Sequence, residues 1–242
     1  MLRSTSEIAQ NLAPHGVLRV ALNFGNAGLV RMDPHTQELS GVSVDLSREL
    51  ARELEINLEF ICFDAAREVV GAVAQDKWDV AFLAISPARL ERLQFTQPYA
   101  AMAGSYMVRD ASPIHAPEDV DQPGVRIASA LGAAYDLYLS DHLKHARLVR
   151  AQTTPDAVEL FVNEQLDAVA SVRAYLSTWM LTHPGYRILD RSFTTIEQAM
   201  ATPKGRTLGW TYLASYIQRM KACNFVAQSL ARSDHSDLLA LI

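Results

Sequence analysis

Arg89 stands where its chemistry is easiest to read. It closely follows Trp78–Ile85, an apolar run that reads as a strand covered on both faces. Its planar guanidinium fork matches a carboxylate bidentately. The plainer alternative is a surface helix arginine of the kind Arg92 represents. A second polar group, Asn23-Phe24-Gly25-Asn26, follows the apolar run Val17–Leu22. It therefore falls at the carboxyl end of a strand, where open α/β sheets bind ligands. His142 and His145 lie about one helical turn apart in Asp141-His142-Leu143-Lys144-His145, a spacing that could seat a metal. No third ligand converges on them in the sequence, which favours solvent-exposed histidines and no metal site. Cys62 and Cys223 are the only cysteines. Cys62 lies inside the apolar run Leu58–Phe63 and Cys223 in the last helical stretch, so two buried free thiols are expected. No Cys-x-x-Cys pair, nucleophile elbow, Walker loop or Gly-x-Gly-x-x-Gly is present. Glu38, Glu59 and Glu197 cannot be paired as acid and base from their positions.

The elements that must carry these residues alternate between strand and helix. In Val42–Leu54 the apolar residues Val42, Leu46, Leu50 and Leu54 recur every fourth position, which predicts a helix with one buried face. Strands are predicted at Val17–Leu22, Ile56–Phe63 and Trp78–Ile85, and a helix over 67–75 with Val69, Val70 and Val73 inward. This βαβαβ order implies a parallel sheet with helices on both sides. A second α/β unit is predicted over roughly 106–192, with strands at 105–108, 125–130, 147–151 and 167–171. Gly132-Ala133-Ala134-Tyr135 opens a helix to about His145, and Thr154-Pro155 reads as a hydroxyl cap with proline in the first turn. The segment Gly205–Leu230 is predicted mostly helical.

Composition excludes several classes. The chain has 242 residues, 49% of them apolar, with 22 basic and 27 acidic side chains and a net charge of −5. That is too apolar for a disordered chain and too acidic for a dedicated nucleic-acid binder. A chain of this length buries a core without disulfides, metals or other cofactors. Residues 1–16 lack the apolar stretch of about seven or more residues that a secretion signal needs, and read as a short polar amphipathic helix ended by Pro14 and Gly16. No segment approaches about 18 uninterrupted apolar residues, so no membrane insertion is expected. The expected location is cytoplasmic for the chain as written, periplasmic if a leader has been removed.

Three segments together resemble the type II periplasmic solute-binding proteins, in particular the polar amino-acid receptors of ABC transporters. The first is Gly41-Val42-Ser43-Val44-Asp45-Leu46, similar to the family's G-F-D-x-D-L. The second runs from Lys77-Trp78-Asp79-Val80 through Ser86-Pro87-Ala88-Arg89 to Phe95-Thr96-Gln97-Pro98-Tyr99. The third joins Gly124-Val125-Arg126-Ile127-Ala128 and Gly132 to Asp167-Ala168-Val169. The resemblance implies two α/β lobes with mostly parallel sheets, 1–105 with 193–242 and 106–192. It further implies crossovers near 101–107 and 190–198, hinge closure, and a ligand cleft between the lobes. It also implies an ABC permease as partner. Arg89 then matches the arginine that holds the ligand's carboxylate.

Departures from the family pattern narrow the ligand. Leu83-Ala84-Ile85 replaces the family's polar stretch before Ser86. Gly132-Ala133-Ala134 keeps backbone donors but lacks the hydroxyls, which Ser129 and Tyr135 could partly replace. Val172, followed by Arg173, stands where the family has the aspartate for the ligand ammonium. A buried ammonium needs such a partner. The expected ligand is therefore a small organic acid rather than a standard α-amino acid. It could be dianionic, held by Arg89 and Arg173, with Asn23, Asn26 and Gln198 as neutral contacts. Alternatives are a lyase resembling cyclohexadienyl dehydratase, with Glu197 as the only nearby acid, and a cytoplasmic ligand sensor.

Overall fold

The computed structural model describes residues 4–26, 28–232 and 239–240, and the chain divides into two compact units, 1–101 with 197–242 and 102–196. The chain passes from one unit to the other twice. In chain order unit 1 opens with α1 (Thr5–Leu12), β1 (Val17–Asn23), a short antiparallel pair β2 (Arg31–Met32) and β3 (Leu39–Ser40), and α2 (Val42–Leu54). It continues with β4 (Asn57–Phe63), α3 (Ala66–Gly71), β5 (Val80–Ala84), α4 (Pro87–Leu90), β6 (Leu93–Phe95) and the start of β7 (Ala100–Arg109). Unit 2 holds the rest of β7, β8 (Arg126–Ala130), α5 (Ala134–His142), β9 (Arg147–Ala151), α6 (Thr154–Asn163), β10 (Ala168–Val172), α7 (Arg173–Met180) and β11 (Tyr186–Ile188). Strand β12 (Thr194–Pro203) returns the chain to unit 1, which closes with α8 (Thr207–Ala222), α9 (Phe225–Arg232) and β13 (Leu239–Ala240).

The sheet of unit 1 runs β4-β1-β5-β12, with β1 parallel to both β4 and β5 and β12 antiparallel to β5. That of unit 2 runs β9-β8-β10-β7, parallel except where β10 meets β7. All five residues of β5 are buried, as the continuous apolar run Val80–Ala84 requires of a strand covered on both faces. Helix α2 buries Val42, Leu46, Leu50 and Leu54, its predicted stripe, and ends at Glu55 in the left-handed conformation. Trp78 is fully buried and donates its indole N–H to the Val69 carbonyl at 2.8 Å. Around it Val69, Ala72, Leu83 and Leu93 form a core, with Val70 and Val73 partly buried against it. In unit 2, Ala128, Val169 and Met107 of the sheet pack against Val158 and Phe161 of α6 and Leu176 of α7.

Several local expectations shift. The predicted helix over 67–75 is α3 followed by a 3-10 turn over Ala72–Gln75, and the helix expected to reach His145 ends at His142. The cap of α6 is Thr153, whose hydroxyl accepts from the Asp156 N–H while the Asp156 carboxylate accepts from the Thr153 N–H. The buried-thiol expectation is wrong: Cys62 and Cys223 are both exposed. β4 is the outer strand of its sheet, so the alternate side chains Asn57 and Glu59, and then Cys62, face solvent. Cys223 caps the C-terminus of α8.

Candidate functional site

In unit 1 the predicted residues gather at the carboxyl ends of β1 and β5. β1 ends at Asn23, which is buried and turns its side-chain oxygen back to accept from the Gly25 N–H at 3.0 Å. This tight asparagine turn carries the chain to Asn26, whose backbone N–H donates to the Asn23 carbonyl at 3.0 Å. The Asn26 side-chain amide donates to Gln198 Oε1 at 3.1 Å. Gln198 is 1% exposed and sits on β12 opposite Ala84, the last residue of β5. Asn26, Gln198 and Ala84 therefore meet across sequence separations that no local pattern reveals.

Beyond β5, Ser86 is the N-cap of α4, and Pro87 opens that single turn. The Ser86 hydroxyl is buried and has no hydrogen-bond partner among the described residues. Arg89 lies on the same turn and is only 3% exposed, which rejects the surface-arginine alternative. One arm of its guanidinium donates to the Ala84 carbonyl at 2.7 Å. Desolvation pushes the Arg89 pKa down to about 10, so the group stays charged at neutral pH in surroundings that disfavour that charge.

Unit 2 arranges its predicted residues differently from expectation. Gly132 adopts a φ of +73° after Leu131 and donates its N–H to Asp136 Oδ2 at 3.0 Å. The Ala133 N–H closes a turn onto the Ala130 carbonyl at 3.1 Å. Two of the backbone donors expected in the loop are thus engaged within the unit. Ala134 is the first residue of α5. Tyr135 is buried, with its hydroxyl 3.0 Å from Thr154 Oγ1, so it is spent inside the unit rather than standing in for a missing loop hydroxyl. Ser129 is fully buried on β8, and its hydroxyl has no partner among the described residues. Val172 is buried at the N-cap of α7. Arg173 donates from Nη2 to the carbonyls of Leu189 and Asp190, the latter at 2.9 Å. His142 stacks on Tyr138, and no group of three or more metal-ligating side chains occurs among the described residues. Glu197 is exposed on β12.

Sequence reasoning missed Asp136. This side chain is 2% exposed and carries the Arg150 guanidinium, whose Nε donates at 2.9 Å. The signal was present: an acid three positions into a helix, after a glycine loop, is placed to accept the loop's N–H groups.

The buried tyrosines make the alkaline limit of the fold predictable. Burial raises Tyr135 to about 12, and it raises Tyr99, Tyr106 and Tyr216 as well. An unfolded tyrosine ionises near about pH 10. The folded form therefore binds more protons above that pH, and its stability is complete below about pH 10 and lost as pH climbs through about 12. In a pH titration, the tyrosinate absorbance of these residues is expected to appear together with loss of helical circular dichroism. Ionisation of all eight tyrosines near pH ~10 with the fold intact would contradict the burial of these side chains.

No helix among the described residues is long and apolar enough to cross a membrane. No curated protein matches the sequence. Solved structures do. A mutant of ArgBP from T. maritima aligns with a TM-score of 0.79 at 20% identity, covering 93% of this chain and 98% of that one. AbpA from Streptococcus pneumoniae, bound to L-arginine, aligns with a TM-score of 0.79 at 19% identity, covering 93% and 97%. The ancestral amino acid-binding protein AncCDT-1, described as a precursor of cyclohexadienyl dehydratase, aligns with a TM-score of 0.78 at 20% identity, covering 94% and 98%. At these identities the likeness is one of fold: the two-lobed, mixed α/β architecture of the periplasmic binding proteins. The family model described as bacterial extracellular solute-binding proteins, family 3, matches residues 18–241. With nearly its whole length matched, the chain belongs to that family of bacterial extracellular solute-binding proteins.

Proposed function

We propose that this chain is a receptor for a small solute bearing a carboxylate but no α-ammonium, with Arg89 as the anion's partner. The observation that carries the reading is Arg89 itself, a guanidinium 3% exposed at the carboxyl end of β5, with burial lowering its pKa. A carboxylate arriving there would relieve the cost of that desolvated charge and gain a charge-assisted hydrogen bond in a low-dielectric setting. Neutral selectivity would come from Asn26, held by Gln198, and from Asn23. The solved relatives include one bound to L-arginine. The resemblance to the family, however, aligns Val172 with the family's aspartate for a ligand ammonium, and an apolar valine cannot supply that anion. We take the segments near 101–107 and 190–198 as the hinge of ligand-driven closure, and an ABC permease as the docking partner.

A thermal-shift panel tests this, pairing amino acids with their keto, hydroxy and dicarboxylic analogues, on wild type and Arg89→Ala. A ligand at about 100 times its Kd adds about 2.7 kcal/mol. For a chain of this size that is a shift of roughly 5–10 °C. Shifts are expected with acids lacking the amine. Arg89→Ala is expected to weaken binding by roughly 30-fold or more, the loss typical of a truncated buried charge partner. Unchanged binding in Arg89→Ala would overturn the role of Arg89. Shifts with ordinary amino acids alone would overturn the argument from Val172.

A further inference from the structure

Within unit 1 a continuous line of contacts runs from the guanidinium to two asparagine amides. Arg89 Nη1 donates to the Ala84 carbonyl at 2.7 Å. Ala84 pairs across the sheet with Gln198, and Gln198 Oε1 accepts from the Asn26 amide at 3.1 Å. Asn26 closes the turn that begins at Asn23. In each amide one end is already fixed. The Gly25 N–H can only donate, so Asn23 turns Oδ1 toward it and keeps both Nδ2 hydrogens. Asn26 gives one Nδ2 hydrogen to Gln198, which is 1% exposed on a paired strand, and keeps Oδ1 and the other hydrogen. The backbone carbonyls here are engaged as well. That of Asn23 accepts from the Asn26 N–H, that of Asn26 from the Leu29 and Val30 N–H groups, and that of Ala84 from Arg89. Asn26 Oδ1 is thus an acceptor set among donors.

On the reading that Arg89 receives a carboxylate, we infer that the ligand is a hydroxy acid with its hydroxyl beside the carboxylate, and that Gln198 is the positioning residue behind this selectivity. A hydroxyl accepts from Asn23 Nδ2 and donates to Asn26 Oδ1, so both amides are satisfied when water leaves. An oxo group only accepts, and sets its lone pairs against Oδ1. A hydrogen in the same place serves neither amide. An ammonium donates to Oδ1 but offers nothing to Nδ2. A polar group left unmatched in a desolvated site costs more than a matched bond gains, which is why sites built around a hydroxyl reject analogues that lack it. Gln198 acts through Asn26 by fixing which end of the amide is spent on β12. Without its acceptor the amide is free to turn over and present hydrogens in place of Oδ1.

The test is calorimetry on the full chain with two matched series: lactate, pyruvate, propionate and alanine, then mandelate, phenylglyoxylate, phenylacetate and phenylglycine, each chiral acid as both enantiomers. In at least one series the hydroxy acid is expected to bind about tenfold or more tighter than its oxo, deoxy and amino partners. An oxo or deoxy acid that binds as tightly as the hydroxy acid in every series that binds overturns the inference and leaves the carboxylate reading in place. An amino acid binding tightest overturns the inference together with the argument from Val172. Binding of no acid at all, or equal binding by Arg89→Ala, removes the carboxylate reading and the inference with it. In Gln198→Leu the hydroxy-to-oxo ratio is expected to shrink to within about threefold. Gln198→Glu still accepts from the Asn26 amide, so it should keep the ratio while its added charge weakens both acids. A ratio that stays about tenfold in Gln198→Leu with wild-type circular dichroism overturns the assignment to Gln198. If Gln198→Leu does not fold, Gln198→Glu decides, and a ratio lost there overturns the assignment.

Discussion

Asp79→Ala is expected to cost about 3–5 kcal/mol of stability, the loss typical when one partner of a buried ion pair is removed and the others are left uncompensated. The Asp79 side chain is fully buried at the entry to β5 and is held from three sides. Arg19 donates to it from its backbone N–H at 2.9 Å, from Nε at 3.0 Å and from Nη2 at 2.8 Å. Arg206, the N-cap of α8, donates from Nη1 at 2.5 Å and also reaches the Leu12 carbonyl at 2.6 Å. One carboxylate thereby joins β1, the start of β5, the end of α1 and the start of α8. Without it, two guanidinium groups, each about 15% exposed or less, face each other with the exposed Asp76 as the only nearby anion among the described residues. Urea unfolding should show a lower midpoint, and thermal unfolding a drop of roughly 10 °C, at about 2–4 °C per kcal/mol for a chain of this size. Asp79→Asn keeps the shape and two hydrogen-bonding positions, so its loss should be smaller but of the same sign. A change under about 1 kcal/mol in Asp79→Ala would mean that water replaces the carboxylate and that this junction contributes little.

The same residue shows where sequence reading stops. Periodicity made α2 and β5 legible because their apolar spacing reports burial directly, and the alternation of elements gave the two-unit α/β plan. Asp79 was visible in Lys77-Trp78-Asp79-Val80 as part of a family motif. Its partners, however, lie 60 and 127 positions away, and nothing local pairs them. Cys62 fails for a related reason: an apolar run indicates a strand, whereas position within the sheet decides which of its side chains meet solvent. Arg89 was legible because it closely follows a strand buried on both faces, so the chain had little choice over where it could go. Arg173 was not, since it likewise follows a strand but bends onto the carbonyls of Leu189 and Asp190. Only the path of residues 189–190 past the start of α7 determines that.

Gly41→Ala is expected to reach from the fold into the site. Gly41 is the N-cap of α2, with φ +113° and ψ 168°, a region essentially reserved for glycine. A Cβ there would lie 2.4 Å from the Leu29 carbonyl oxygen, 2.9 Å from the Leu29 carbonyl carbon and 3.1 Å from the Val30 Cα. All three are backbone atoms, so no side-chain rotation relieves the contact. Backbone strain of about 1–3 kcal/mol and an overpacking cost of similar size add to a loss on the order of 4 kcal/mol. The strand ends would feel this because residues 29–30 are tied to Asn26: the N–H groups of Leu29 and Val30 donate to the Asn26 carbonyl at 2.8 and 3.3 Å. The Leu29 carbonyl in turn accepts from the Ser43 N–H in α2 at 3.1 Å. Relieving the clash means pushing residues 28–30 away from α2, which draws the Asn26 amide off Gln198. Gly41→Ala should therefore lower the urea midpoint and also weaken whichever carboxylate the wild type binds, measured at a temperature where the variant remains folded. Asn26→Ala separates the two effects. It removes the amide contact to the buried Gln198 without touching the α2 cap, so it should weaken ligand binding at a stability loss of about 1–3 kcal/mol, smaller than that of Gly41→Ala. Stability lost in Gly41→Ala with ligand affinity intact would show that the loop gives way elsewhere than at Asn26.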